Sequence, residues 1–401
     1  MKKSLLLLIT VLVVVTVAVG AVAQDRVTQP PSSLVRTPGH VRTPLYVIIP
    51  ANNTNPEITN GENPGSLACL YGLTAPVSGC PKSDLTMPVG GARAIAVVEY
   101  GRYANMQNDL NFFSTQYGLP AVTATEICSP GPPPCPANNG SGWDLETALD
   151  VQYAHAMAPS AQIIVSEFAN DPIGDGAETA AANAVAAAGG GEVSNSWTYN
   201  GGENWCGSGN CELSYDSYFV KQGVVFFASA GDDGLGPAYP SISPNVVSAG
   251  GTQIMRDSNG NYTTESCWNG SGGGIGIYEP LPQYQLYIGN RTGPKRGTPD
   301  WAADASPVSG VNVYSSPYCG GWCVVGGTSV SSPVLAGIVN WAGHFRISTL
   351  SELSPTYQWY IQPVTYHVNF FDVTTGNNGA AAGPGWDQCT GLGSPRKASQ
   401  F

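Results

Sequence analysis

The sequence predicts an α/β fold with a largely parallel central sheet and helices on both faces. Three observations predict it. Short, very apolar runs recur, as in Ala94-Ile95-Ala96-Val97-Val98 and Val224-Val225-Phe226-Phe227-Ala228, and such runs suit strands buried on both faces. They alternate with longer amphipathic or Ala-rich segments that read as helices, the pattern of a parallel sheet. Finally, 401 residues with 42% hydrophobic and only 11% charged side chains can bury a large core.

Taken in order, the chain begins with Lys2 and Lys3, an apolar run from Leu5 to about Val19, and Ala21-Val22-Ala23. This reads as a secretory signal peptide over residues 1–23, so a secreted, extracellular protein is expected. No later stretch is long and apolar enough to span a bilayer, and no stable membrane association is expected after cleavage. Residues 24–65 are rich in Pro, Thr and Asn with little periodicity and read as an extended N-terminal arm. Residues 66–401 form the expected main domain. Within it, strands are expected at Ala94–Tyr100, Gln162–Phe168, Glu192–Trp197, Val224–Ala228 and Val246–Ala249. Helices are expected at Asn108–Tyr117, Trp143–Ala158 with Asp144 as N-cap, Ala177–Ala188 and Ser214–Gln222.

Composition narrows the function. The net charge of −12 and a pI near 4.6 argue against nucleic-acid binding, which needs a basic surface. With only 16 Lys and Arg, little positive charge builds up when surface carboxylates are protonated, which fits an acidic working environment. Export permits disulfides. Of the ten cysteines, Cys69/Cys80, Cys128/Cys135, Cys206/Cys211 and Cys319/Cys323 are near neighbours that could close small loops. That pairing would leave Cys267 with Cys389, although spacing alone does not choose among connectivities.

The chemistry centres on Gly326-Gly327-Thr328-Ser329-Val330-Ser331-Ser332-Pro333. Two glycines lead into a small apolar run, with Pro333 expected in the first turn of a buried helix. Ser329 would then lie among unpaired N–H groups at the positive end of the helix dipole, which suits a nucleophile whose reaction builds an oxyanion. A simple N-cap serine is the competing reading. The string also has the G-T-S-x-S-x-P pattern found around the nucleophile of subtilisin-like serine peptidases. Such catalysis needs a base, yet none of the four histidines (His40, His155, His344, His367) lies in a suitable motif. His344 is expected in the helix that follows Ser329, too far along to reach it. Two acids offer themselves instead. Glu146 and Asp150 stand at i and i+4, on one helix face, where like charges raise the cost of ionising both. A third, Asp232, follows Ala230-Gly231 just past the carboxyl end of an apolar strand, where parallel α/β sheets place their sites. Asp233 competes for that role, and an Asp-Gly turn explains the pair without function.

Together these features resemble the sedolisin family, the serine-carboxyl peptidases, whose subtilisin-like fold carries Glu in place of His. The resemblance runs from about Ser66 to the C-terminus. It rests on Glu146-x-x-Leu149-Asp150, Ser194-Asn195-Ser196-Trp197, Ser229-Ala230-Gly231-Asp232, Gly250-Gly251-Thr252, Gly272-Gly273-Gly274, Pro299-Asp300 and Gly327-Thr328-Ser329. It implies that Ser329 attacks the scissile carbonyl and forms an acyl-enzyme. Glu146 would take and return the proton, Asp150 would orient Glu146, and a protonated Asp232 would donate to the oxyanion. Only a neutral carboxyl can donate, so acid activity is implied.

The resemblance also implies one structural Ca2+ near the C-terminus. Asp372 and Asp387 would bind it by side chain, and Val373, Gly383 and Gly385 by backbone carbonyl. Expected substrates are proteins or peptides, cut by endopeptidase action, with tripeptidyl-peptidase action also compatible with the family. A monomer is expected. The family's long prodomain has no counterpart in the short arm. The chain therefore either folds without one, or meets a separate propeptide or inhibitor, or uses the arm for part of that work. The alternative function is a catalytically inactive secreted binding protein, a pseudo-peptidase or adhesin on the same fold.

Overall fold

The computed structural model of the chain describes residues 27–56, 60–132, 134–138, 140–207 and 211–401. The expected signal peptide and the first three residues of the arm lie outside them. The arm contributes three short strands, β1 (Val27–Thr28), β2 (Val41–Arg42) and β3 (Tyr46–Ile48). Helix α1 (Pro64–Leu70) follows, started by a capping box between Asn63 and Ser66.

The core of the molecule is an eight-stranded sheet. Its strands are β4 (Ala94–Tyr100), β5 (Thr125–Ser129), β6 (Gln162–Phe168), β7 (Gly191–Asn195), β9 (Val224–Ser229), β10 (Val247–Arg256), β11 (Tyr262–Cys267) and β14 (Trp301–Asp304). Along β5-β6-β4-β7-β9-β10 every neighbour is parallel, as is β14 beside β10; only β11 runs antiparallel. The predicted sheet is therefore present. Alternate residues of β4 enter different cores: Ile95 and Val97 join one cluster, while Ala94, Ala96 and Val98 join the other. This is the period-two consequence of burying both faces.

Helices α2 (Met106–Tyr117) and α3 (Trp143–Met157) supply residues to the first cluster, and α4 (Ala177–Ala187) to the second. Outside the main sheet lie β8 (Thr198–Tyr199), the hairpin of β12 (Gly274–Pro280) with β13 (Lys295–Thr298), and the pair β15 (Val311–Ser315) and β16 (Gly321–Gly326). Strand β16 feeds helix α5 (Thr328–Ala342). A second, antiparallel sheet has the order β1-β3-β16-β15, so the arm pairs with the strand that leads into Ser329.

Four local expectations are corrected. Helix α3 is capped by Gly142, not Asp144, which lies in the first turn where its charge still meets the helix dipole. Residues 214–222 form no α-helix; short 3-10 turns at Cys211–Ser214 and Asp216–Phe219 replace it. Strand β10 extends well beyond Ala249, because its outer half finds an antiparallel partner in β11. His344 lies past the end of α5, which Gly343 terminates in the left-handed region. The four cysteine pairs suggested by proximity are present, and so is the remaining pair, Cys267 with Cys389. Among the described residues no helix is long and apolar enough to cross a membrane.

Candidate active site

Helices α3 and α5 run side by side against one face of the sheet. They approach closely because Gly337 has no side chain: a Cβ there would lie 2.5 Å from the Cβ of Met157. Glu146 and Asp150 project from the first half of α3 and Ser329 from the first turn of α5, and all three are fully buried. The turn into α5 needs glycine at 327, whose φ of 116° is open to few other residues.

The four sequence-predicted residues Ser329, Glu146, Asp150 and Asp232 come together. The Ser329 hydroxyl interacts with the Glu146 carboxyl, and Asp150 and Asp232 are the next charges Glu146 feels. The Ser329–Glu146 contact is not a well-formed hydrogen bond; such contacts are often loose before substrate arrives. Desolvation by burial is the main reason the Glu146 carboxyl is pushed well above its ordinary range, and the Asp150 charge adds to it. Asp150 is raised for the same first reason.

Ser196, in the turn after β7, links the two helices. Its hydroxyl lies 3.0 Å from Asp150 Oδ1 and 3.3 Å from the Ser329 carbonyl oxygen. That carbonyl needs a donor because Pro333 sits inside α5, not in its first turn as expected. Proline at i+4 offers no N–H, and Ser196 stands where that donor would have been.

Asp232 lies just beyond β9. The Thr328 N–H and hydroxyl both donate to its Oδ1, at 2.8 and 2.9 Å. Its buried Oδ2 has no partner among the described residues. That oxygen packs against the Cα of Gly327, where a Cβ would meet it at 2.7 Å. Burial raises the Asp232 carboxyl to about 7, against the lowering effect of Thr328. A proton held at pH values below that can sit on Oδ2 and point into the site. Asp233, the competing choice, is largely exposed and pairs with Arg42.

Sequence reasoning missed Glu99. This residue is fully buried at the carboxyl end of β4, and its carboxyl is raised, first by burial and then by Asp150 and Glu146. Thr147 donates to its Oε2 at 3.4 Å. A signal was available: one acid near the end of an otherwise apolar buried strand, the criterion that singled out Asp232. No histidine joins the cluster. His155 is buried with Nε2 3.0 Å from the Pro120 carbonyl, and burial lowers its pKa to about 4. His40, His344 and His367 are exposed.

At the C-terminus, Asp372 and Asp387 both act on the Tyr366 hydroxyl. Asp372 accepts from the Gly385 N–H and from Tyr366. Asp387 accepts from the N–H groups of Gly383, Cys389 and Thr390. Arg291 donates to the carbonyls of Pro384 and Trp386. The alternating carbonyls of Gly383 and Gly385, and that of Val373, take no hydrogen bond from the described residues. Two carboxylates beside three uncommitted carbonyls are a donor set that fits a hard cation. No group of three or more His, Cys, Asp or Glu suited to a metal occurs among the described residues.

Residues 135–343 match the model of the subtilase family. The chain is 30% identical over 339 residues to kumamolisin of Bacillus sp. (strain MN-32), an alignment covering 76% of this chain and 59% of that protein. It is 26% identical over 373 residues to sedolisin of Pseudomonas sp. (strain 101), covering 83% and 60%. The chain thus spans about three fifths of the length of these curated relatives. Among solved structures, Pseudomonas sedolisin, a serine-carboxyl proteinase complexed with pseudo-iodotyrostatin, matches with a TM-score of 0.67 at 23% identity. That match covers 87% of this chain and 98% of the other, and shows a common fold.

Proposed function

The chain belongs to the sedolisin branch of the subtilase family, and on that premise we propose that it is a secreted, acid-active serine-carboxyl peptidase. The observation that carries the proposal is the convergence of Ser329, Glu146, Asp150 and Asp232 at one buried point with no histidine among them. In this reading Ser329 Oγ attacks the carbonyl carbon of a peptide bond while Glu146 takes its proton. Asp150, steadied by Ser196, holds Glu146 in place. The oxyanion forms beside the Ser329 N–H and the protonated Oδ2 of Asp232. Collapse breaks the C–N bond, and Glu146 returns the proton to the departing amine. Water then enters, and Glu146 removes its proton as the hydroxide adds to the acyl carbon. On collapse the bond to Ser329 Oγ breaks, Glu146 returns the proton to that oxygen, and the product leaves as a carboxylic acid.

Oδ2 donates only while protonated, so activity is expected to fall as pH rises through about 7. A structural Ca2+ held by Asp372 and Asp387, with the carbonyls of Val373, Gly383 and Gly385, is part of the proposal. It would tie the C-terminal loop and takes no part in the reaction. Endopeptidase action on proteins and peptides, by a monomer, is the expected mode.

The test is hydrolysis of an acid-denatured protein by the wild-type chain and by Ser329→Ala. Cleavage lost in the variant supports the reading. Equal cleavage by both, or none by either with folded protein and calcium present, would remove it, and the binding-protein alternative would stand.

A further inference from the structure

Ser196 touches both Asp150 and the Ser329 carbonyl, yet it belongs to neither strand beside it: β7 ends at Asn195 and β8 begins at Thr198. The position of this turn has to be fixed by side chains, and the carboxamide of Asn195 does so. Asn195 is fully buried. Its Nδ2 donates to the Phe227 carbonyl of β9 at 3.2 Å and to Oε1 of Glu178, in the first turn of α4, at 3.4 Å. Its Oδ1 accepts from the indole N–H of Trp197 at 2.9 Å. The Ser229 hydroxyl braces the same residue, donating to the Asn195 carbonyl at 3.4 Å.

A carbonyl only accepts and an indole N–H only donates, whereas a carboxamide has its donors on one side and its acceptor on the other. All three bonds therefore demand the same orientation of the Asn195 amide, and reversing it would break every one. The bonds run back to β9 and α4 and forward to Trp197, so Ser196 lies in the middle of a bridge anchored at both ends. Glu178 is itself fully buried. Burial raises its carboxyl to about 8, so at acid pH it is neutral and offers Asn195 an acceptor without a buried charge.

We propose that Asn195, oriented by Glu178, is a positioning residue for the catalytic centre: it fixes the turn that carries Ser196, and through Ser196 the carboxyl of Asp150. It does not touch the reacting atoms. The proposal rests on the peptidase reading. Donation from Ser196 favours the ionised form of Asp150 and opposes the larger effect of burial. A turn set loose weakens that bond, so Asp150 should hold its proton to higher pH. The other acids facing Asp150 are Glu146 on its own helix and Glu99 on β4, and both stay in place in the variants below.

The experiment records kcat and KM across the acid range, on a short fluorogenic peptide, for the wild-type chain, Asn195→Ala, Ser196→Ala and the double variant. Asn195→Ala should lower kcat about tenfold with KM within about twofold, and its acid limb should move to higher pH. Because Asn195 acts through Ser196, the double variant should be little worse than Ser196→Ala alone; a loss equal to the product of the two single losses would overturn the proposal. A second pair of variants spares the core volume and decides the matter alone if Asn195→Ala does not fold. Glu178→Met removes the acceptor, leaves an Asn195 N–H unpaired and should move the acid limb in the same direction. Glu178→Gln keeps an acceptor and should return the limb towards its wild-type position. A limb that stays in place in Glu178→Met would overturn the proposal while the peptidase reading survives. No hydrolysis by the wild-type chain would overturn both.

Discussion

Thr328 donates twice to one oxygen of Asp232 and leaves the other bare. This fixes which way the carboxyl faces and which oxygen can carry a proton. It also sets the pKa, because both bonds favour the charged form and oppose the larger effect of burial. Thr328→Val removes the hydroxyl donor and keeps the N–H. The alkaline limb of the pH–rate profile should then move up, since a lowering influence on Asp232 is gone. Asp232→Ala should cost on the order of 10²–10³ in kcat. Asp232→Asn, whose amide donates at every pH, should cost less and should lose the limb near pH 7. An Asn variant with an unchanged limb would assign that limb to another group.

Glu99 acts through Asp150 and Glu146 and does not touch the reacting atoms, which makes it a positioning residue. Glu99→Gln keeps the shape and removes an ionisable neighbour. Since hydrogen bonding with Glu99 lowers the Asp150 carboxyl, weakening that interaction should shift the acid limb to higher pH. The fall in kcat should be smaller than for Glu146→Gln. A loss with no movement of the limb would indicate only a packing role.

Gly337 sets the spacing between the two helices that carry the catalytic groups. Gly337→Ala forces a methyl to 2.5 Å from Met157 Cβ. Overpacking of this kind costs about 1–3 kcal/mol. Both Tm and kcat should fall, because the same displacement separates Glu146 from Ser329. A compensating Met157→Ala should recover part of each.

The buried acids predict where the fold is stable. Burial raises Glu178 to about 8 and Glu265, Glu352 and Asp232 each to about 7. Each holds a proton in the folded chain at pH values where the unfolded chain has lost it. Unfolding therefore releases protons between about pH 4.5 and those values, and stability falls as pH rises through that window. Tm measured across the range should be higher near pH 5 than near pH 8, and the opposite slope would contradict the assignment.

If Asp372 and Asp387 hold calcium, chelation should lower Tm, and added Ca2+ should restore it in a concentration-dependent way. Asp372→Asn should abolish that response while leaving the pH profile of activity in place. A Tm indifferent to chelator and to Ca2+ would reduce the loop to the hydrogen bonds already described.

Much of this architecture is legible in the sequence, for physical reasons. Strands buried on both faces must be apolar throughout, so β4, β6 and β9 stand out at their observed positions. The i, i+4 acids on α3 are equally visible, because helix periodicity alone puts them on one face. Glu99 escaped because its significance depends on α3 packing over β4, a contact between distant segments. The arm is legible as an extended segment, but its strand partners escaped for the same reason. Residues 41–48 have little periodicity of their own, and their conformation comes from β8 and β16, more than 150 positions further on. Residues 214–222 have helical composition but are held in short turns, where the side chain of Asn245 donates to the Asp216 carbonyl.

The most direct test of the central claim is the pH dependence of kcat/KM on a single peptide, recorded for the wild-type chain and Glu146→Gln together. A serine–carboxyl mechanism predicts wild-type activity on the acid side that declines through about pH 7 as Asp232 ionises, and no activity in the variant at any pH. Activity that peaks well above pH 7 and survives Glu146→Gln would contradict it.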